Sequence, residues 1–239
     1  MTPSYLEIIL VGFILILPFL YETSSTFRYY FKFLLYYGIV MANSLILIPI
    51  MVFRPGNVKN LLLASSICHH VSNLLGLKWE LRNRENLEKE QACIVVANHQ
   101  SSLDILGMFE MWPVMDKCTV VAKKELFYAW PFGLAAWLCE GTRHNTGEIH
   151  PFKKGAFHVA VNSQLPILPV VFSSYYFLSK KDKRFDPGRV IITTLPPILT
   201  KGLGPEDIEA LMEKTRNSMT QVFYSSSREV QQSLNSCKH

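Results

Sequence analysis

Residues 93–104 read Cys-Ile-Val-Val-Ala-Asn-His-Gln-Ser-Ser-Leu-Asp. Cys93 to Ala97 is a short run without a polar side chain, the length and composition of a strand buried on both faces. It stops abruptly at Asn98-His99-Gln100-Ser101-Ser102, and Asp104 to Met111 then has a helical pattern. A buried strand turning directly into a helix is the unit of an α/β sheet covered on both faces, and ligands in such sheets collect at the strand ends.

The same alternation runs outward from this stretch. On the N-terminal side, Val58, Leu61, Leu62, Ile67, Val71 and Leu75 fall roughly on one helical face, and Leu77 to Leu81 alternates as a half-buried strand does. On the C-terminal side, Thr119 to Ala122 is an apolar strand followed by Lys123-Lys124 and a helix to Cys139. Pro166 to Phe172 and Val190 to Leu195 are later strands, the first with prolines at its edges. Pro205 opens the last helix, with Glu206 and Asp207 at the positive end of its dipole. Its buried stripe is Ile208, Leu211, Met212, Thr215, Met219, Val222 and Phe223. No internal repeat and no Gly/Ser-rich linker divides this body.

The first part of the chain has another character. Ile8 to Tyr21 is apolar without a break, but Glu7 and Glu22 bracket it, and the run is short for a membrane span. Phe33 to Phe53 carries no charge and matches a bilayer core of about 30 Å. Tyr29, Tyr30, Tyr36 and Tyr37 cluster near one end of it, as interfacial aromatics do. Arg28 and Lys32 lie on one side and Arg54 and Lys59 on the other, so charge does not fix the topology. A cleaved signal peptide would need a basic start, which is absent. The organisation expected is therefore residues 1–56 as hydrophobic membrane-anchoring helices and 57–239 as an α/β domain. The alternative is a buried helical hairpin in a soluble protein.

Composition agrees with a membrane segment attached to a globular body: 49% of the residues are hydrophobic. The net charge of +5 favours anionic partners. No basic stripe with interleaved aromatics suggests nucleic acid. The cysteines, at 68, 93, 118, 139 and 237, are odd in number and contain no C-x-x-C pair, which argues against a disulfide framework or a zinc site.

His99 and Asp104 carry the chemistry. A hydroxyl attacking a thioester needs a base that works near neutral pH, and a carboxylate on the other ring nitrogen would fix the imidazole tautomer. Five residues along a regular helix turn side chains about 140° apart, so the two meet only if His99 lies in the turn and Asp104 in the first helical turn. Ser101-x-x-Asp104 matches a capping box and puts the helix start near Ser101. The same match allows a bland reading, in which Asp104 merely caps a helix. Glu140-Gly141-Thr142-Arg143 joins a flexible Gly to a guanidinium able to bind phosphate through paired hydrogen bonds. A solvated surface turn is the alternative. Lys123 and Lys124, and Lys153-Lys154-Gly155, are candidate phosphate contacts or ordinary surface lysines.

Taken together, these pieces resemble the 1-acylglycerol-3-phosphate acyltransferases, within the wider glycerolipid acyltransferases. The family's Asn-His-x-x-x-x-Asp motif matches Asn98, His99 and Asp104, and its Glu-Gly-Thr-Arg motif matches Glu140, Gly141, Thr142 and Arg143. Its Pro-Ile-x-Pro block matches Pro166 through Pro169, and Phe152-Lys153-Lys154-Gly155-Ala156-Phe157 is similar to its usual sequence. The resemblance implies that His99 is the general base and that Asp104 orients it. Arg143 would hold the acceptor phosphate, with Lys123 or Lys124 assisting. It also implies acyl-CoA as co-substrate, lysophosphatidic acid as acceptor, no metal or other cofactor, and residence in the endoplasmic reticulum membrane. Whether the chain forms homo- or hetero-oligomers stays open.

The sequence departs from the family at one place. The family has a further segment between the His motif and Glu-Gly-Thr-Arg, with an acceptor-binding Arg, a helix and a strand. Here Trp137-Leu138-Cys139 runs straight into Glu140, so an internal deletion at 139/140 is expected. Its loss would strip a sheet of a strand and weaken the support for Arg143. An inactive or weakly active chain that binds lipid or pairs with a full-length enzyme is one consequence. A thioesterase, or a transferase with another acceptor, is a third reading, since the same His-Asp pair can activate water.

Overall fold

A computed structural model describes residues 5–53, 57, 59–118 and 154–236. Two long helices open the chain, α1 (Tyr5–Thr23) and α2 (Ser25–Val52). Ser24 sits between them and caps α2, its hydroxyl accepting the Phe27 N–H at 3.2 Å. Within α2, Ser25–Ile50 is long and apolar enough to cross a membrane, with Leu34, Leu45 and Ile46 exposed. Helix α1 holds a shorter apolar stretch, Ile14–Thr23.

The body follows as α3 (Lys59–Leu75), β1 (Leu77–Arg82), α4 (Glu85–Glu88), β2 (Ile94–Ala97) and α5 (Asp104–Met115). After residues 119–153 it resumes with α6 (Lys154–Asn162), β3 (Ile167–Phe172), β4 (Leu178–Ser179), β5 (Arg184–Phe185) and β6 (Gly188–Thr194). A 3₁₀ turn at Pro205–Asp207 leads into α7 (Ile208–Ser236). The expected strand at residues 119–122 lies outside the described residues.

Four strands form one mixed sheet in the order β1-β6-β3-β2. The outer pairs, β1 with β6 and β2 with β3, are parallel, whereas β3 and β6 are antiparallel. A proline inside a central strand needs explaining. Pro169 lies at the limit of the β3–β6 pairing, which begins at Val170, and its carbonyl still accepts the Leu195 N–H at 2.9 Å. The backbone position that lacks a hydrogen therefore falls where the ladder ends.

Helices cover both faces. On one side α2, α3 and α5 bury Tyr36, Val71, Leu106 and Trp112 against Phe172 and Ile192. On the other, α6 and α7 bury Phe157, Met219 and Phe223 against Ile167 and Val171. Each such large side chain contributes about 1.5–3 kcal/mol of burial. In α7 the residues Ile208, Leu211, Thr215, Met219 and Phe223 are buried as the spacing predicts, with Met212 and Val222 flanking them half-buried. In α3 the stripe is shifted. Ile67 is 38% exposed, and Cys68 takes the inward position with Val71 and Leu75, which are three and seven residues further on. Gly76 ends α3 in the left-handed region (φ 76°), which lets β1 begin at the next residue.

The anchor and the body share one core. Tyr36 and Val40 of α2 belong to the same buried cluster as Leu106 and Phe172, so the helix long enough to cross a membrane is also a wall of the domain.

Candidate active site

Strand β2 stops at Ala97, but its pairing continues through a side chain. Asn98 donates its amide N–H to the Phe172 carbonyl at 2.9 Å and accepts the Phe172 N–H at 2.8 Å, taking the place of one more backbone unit beside β3. Gln100 also reaches β3, donating to the carbonyls of Phe172 (3.2 Å) and Ser173 (3.0 Å). Both side chains are buried. With Asn98 and Gln100 clipped to β3, the loop between β2 and α5 has one position for His99.

Helix α5 begins at Asp104, where the helical pattern placed it, and the capping pattern at Ser101 is half realised. The Asp104 carboxylate accepts the backbone N–H of Ser101 at 3.1 Å, but the Ser101 hydroxyl accepts from Leu103 at 3.3 Å and not from Asp104. The carboxylate also accepts the Gln100 N–H at 2.8 Å. It is 6% exposed and in direct contact with Nδ1 of His99, which is 27% exposed. The turn-plus-first-helical-residue geometry required by the spacing is the one found. Asp104 therefore closes the loop and holds the imidazole at once.

Contact through Nδ1 places that nitrogen's hydrogen towards the carboxylate and leaves Nε2 as the acceptor. Nε2 is buried and has no hydrogen-bond partner among the described residues. A ring nitrogen with no hydrogen-bond partner among the described residues is available to take a proton from a bound hydroxyl.

Three tyrosines absent from the expected site border it. Tyr36 donates its hydroxyl to the Ser102 carbonyl at 2.7 Å, and Tyr37 exchanges a hydrogen bond with the Ser102 hydroxyl at 2.9 Å. Tyr175 is buried close to Asp104. Burial, and then the nearby Asp104 charge, push its phenol well above the ordinary value, although its hydroxyl reaches no partner in hydrogen-bond geometry. The signal available for Tyr36 was a paired tyrosine inside an apolar run, since a buried Tyr hydroxyl needs a partner. Tyr175 has no local pattern of its own.

The structure thus brings His99 and Asp104 together. Lys123, Lys124, Glu140, Gly141, Thr142 and Arg143 lie outside the described residues, as does the junction at 139/140. Lys154 is exposed and paired with Glu209 at 2.7 Å.

A model of the acyltransferase family matches residues 78–139 and 138–173. The chain is 38% identical over 241 residues to mouse 1-acyl-sn-glycerol-3-phosphate acyltransferase alpha, covering 85% of this chain and 84% of the mouse protein. It is 36% identical over 244 residues to the human alpha protein, covering 87% and 86%, and 31% identical over 252 residues to the human beta protein, covering 90% of each. Its fold is similar to the crystal structure of the 1-acyl-sn-glycerophosphate acyltransferase PlsC from Thermotoga maritima. That match has a TM-score of 0.56 and 22% identity, and covers 84% of this chain and 94% of PlsC. A helix-flanked sheet with His and Asp at the end of a buried strand is thus the fold of an acyltransferase. The chain belongs to the 1-acyl-sn-glycerol-3-phosphate acyltransferase family.

Proposed function

We propose that this protein transfers a fatty acyl group from acyl-CoA to the sn-2 hydroxyl of 1-acyl-sn-glycerol-3-phosphate, giving phosphatidic acid at a membrane. The observation that carries this reading is the buried Nε2 of His99, which has no hydrogen-bond partner among the described residues, on a ring whose other nitrogen is held by Asp104. Nε2 takes the acceptor's hydroxyl proton as its oxygen attacks the thioester carbonyl. The tetrahedral intermediate collapses, the carbon–sulfur bond breaks, and the imidazolium returns the proton to the departing CoA thiolate. The substrate hydroxyl stands where a serine stands in a triad, so no covalent enzyme intermediate is required. Asp104 stabilises the transient imidazolium. Arg143, with Lys123 or Lys124, is assigned to the acceptor phosphate on the strength of the family motif. No metal or other cofactor enters this scheme, and the endoplasmic reticulum membrane is its expected setting.

The same reading includes an internal deletion near 139/140 that slows the reaction. Two observations support it. The family model matches in two pieces that meet at residues 138–139. The mouse alignment spans 241 positions, although 85% of 239 residues supplies only about 203, so the relative carries residues with no counterpart here.

Purified chain in mixed micelles with labelled acyl-CoA and lysophosphatidic acid tests the proposal. Turnover that His99→Ala abolishes, while lipid binding persists, supports it. Turnover retained in that variant refutes the assigned base. A chain with the segment restored should turn over faster, and equal rates would refute the impairment.

A further inference from the structure

The hairpin β4–β5, with its turn and the strands' flanks, carries Lys180, Lys181, Lys183 and Arg184 within five residues. It is firmly held. Phe185 is buried against Phe33 of α2, with ring centroids 5.2 Å apart, and Arg184 donates to the Tyr176 carbonyl at 2.9 Å. Ser179 closes the turn by donating to Asp182 at 2.7 Å. Arg184 also lies 3.8 Å from the Asp186 carboxylate. Lys180, Lys181 and Arg184 are exposed, and neither Lys180 nor Lys181 has a carboxylate partner among the described residues. All four line an open cleft of about 740 Å³, together with Ser174, Tyr176 and Tyr175, the tyrosine beside Asp104.

The cleft's position says what it faces. Lys183 lies over the rings of Tyr29 and Tyr30, 5.5 and 5.4 Å from their centroids. These tyrosines sit near the start of the span-length stretch Ser25–Ile50, where aromatic side chains mark the boundary between headgroups and hydrocarbon. Tyr30 is 55% exposed and Leu34, one turn further along, is 72% exposed, so this flank of α2 is available to lipid. A rigid cationic hairpin beside the interfacial end of a membrane helix is at the level of the phosphates.

We infer that the β4–β5 hairpin is a docking surface for anionic phospholipid headgroups of the host bilayer, with Lys180, Lys181, Lys183 and Arg184 as its phosphate contacts. The inference does not depend on the chain's being an active transferase. Asp182 and Asp186 leave the hairpin with a net charge that still favours anions, since four cations face two carboxylates between residues 180 and 186.

The test uses the full chain in lipid nanodiscs, with amide hydrogen exchange of residues 176–186 as the readout. Discs of pure phosphatidylcholine are compared with discs containing phosphatidylserine. Slower exchange in the anionic discs is expected, together with loss of that protection at high salt. Lys180→Glu with Lys181→Glu should abolish most of the extra protection seen in the anionic discs. Both lysines are exposed, and an unchanged melting temperature would establish that the variant is folded. Equal exchange in the two kinds of disc overturns the inference. So does equal slowing by inorganic phosphate in phosphatidylcholine discs, which would make the cleft a site for soluble anions.

Discussion

Gln100 donates its backbone N–H to the Asp104 carboxylate at 2.8 Å while that carboxylate also contacts Nδ1 of His99. One side chain thus serves the shape of the loop and the orientation of the imidazole. Asp104→Asn exchanges an acceptor oxygen for a donor, so either the loop N–H groups or the imidazole loses its partner. Turnover in the micelle assay should fall by roughly a hundredfold or more. Thermal unfolding should show a loss of about 1–3 kcal/mol, because buried donors are left unsatisfied. A variant that lost stability but kept its turnover would reduce Asp104 to a helix cap.

Tyr36→Phe removes the hydroxyl that joins α2 to the Ser102 carbonyl. The expected cost is about 1 kcal/mol of stability, the ordinary net worth of one hydrogen bond. The change in rate should be larger than this stability loss suggests, because Ser102 lies between His99 and Asp104. Comparing kcat with the melting temperature of the same preparation checks this.

Gly107→Ala sets two effects against each other. Alanine gains about 1 kcal/mol of helix propensity over glycine. The new Cβ, however, would lie 2.5 Å from Cε1 of Phe172 and 2.9 Å from Cζ3 of Trp79, two rings packed in the core. Overpacking of this kind costs about 1–3 kcal/mol, so the variant should be less stable, by denaturant unfolding, than the parent. The displaced helix starts at Asp104, and turnover should fall with it.

Arg82 and Arg189 both pair with Glu80 and Glu229, tying β1 and β6 to α7. The Arg82 guanidinium holds the Glu229 carboxyl below its ordinary value, with further help from Arg189. A depressed carboxylate pKa gives stability that is fully present above the unfolded value of about 4.3 and is lost as the pH falls through the folded value. Glu229→Gln should therefore be less stable than the parent at pH 7, with the difference closing below about pH 4. The pair is well exposed, so the difference should be about 1 kcal/mol or less. Urea titrations across that pH range measure it.

Much of this was legible in the residues themselves. The five-residue step from His99 to Asp104 excludes a shared regular helix, and the structure shows the turn that exclusion demands. The strands at 93–97, 166–172 and 190–195 announce themselves by apolar composition, although β2 is only half-buried and β6 buries Thr193 and Thr194. The order β1-β6-β3-β2 and the antiparallel β3–β6 pair were not legible, since pairing joins residues far apart in sequence and leaves no periodicity. For the same reason Tyr175 escaped notice, as its relation to Asp104 exists only after the sheet has formed. In α3, Ile67 and Cys68 are neighbours of similar apolarity, and a pattern alone could not say which faces inward.

Lys32 and Tyr36 stand one helical turn apart on α2, and each is bonded to the body, Lys32 to the Leu75 carbonyl at 2.9 Å and Tyr36 to Ser102. Two fastenings on the same face leave the helix neither free to roll nor free to slide. With α2 in a bilayer, as proposed, these fastenings would keep the imidazole at a constant height relative to the leaflet, and an acceptor would reach it by lateral diffusion in two dimensions. For such a catalyst the governing concentration is the mole fraction of acceptor in the surface. Adding inert lipid should slow it even when the bulk amount of acceptor is unchanged.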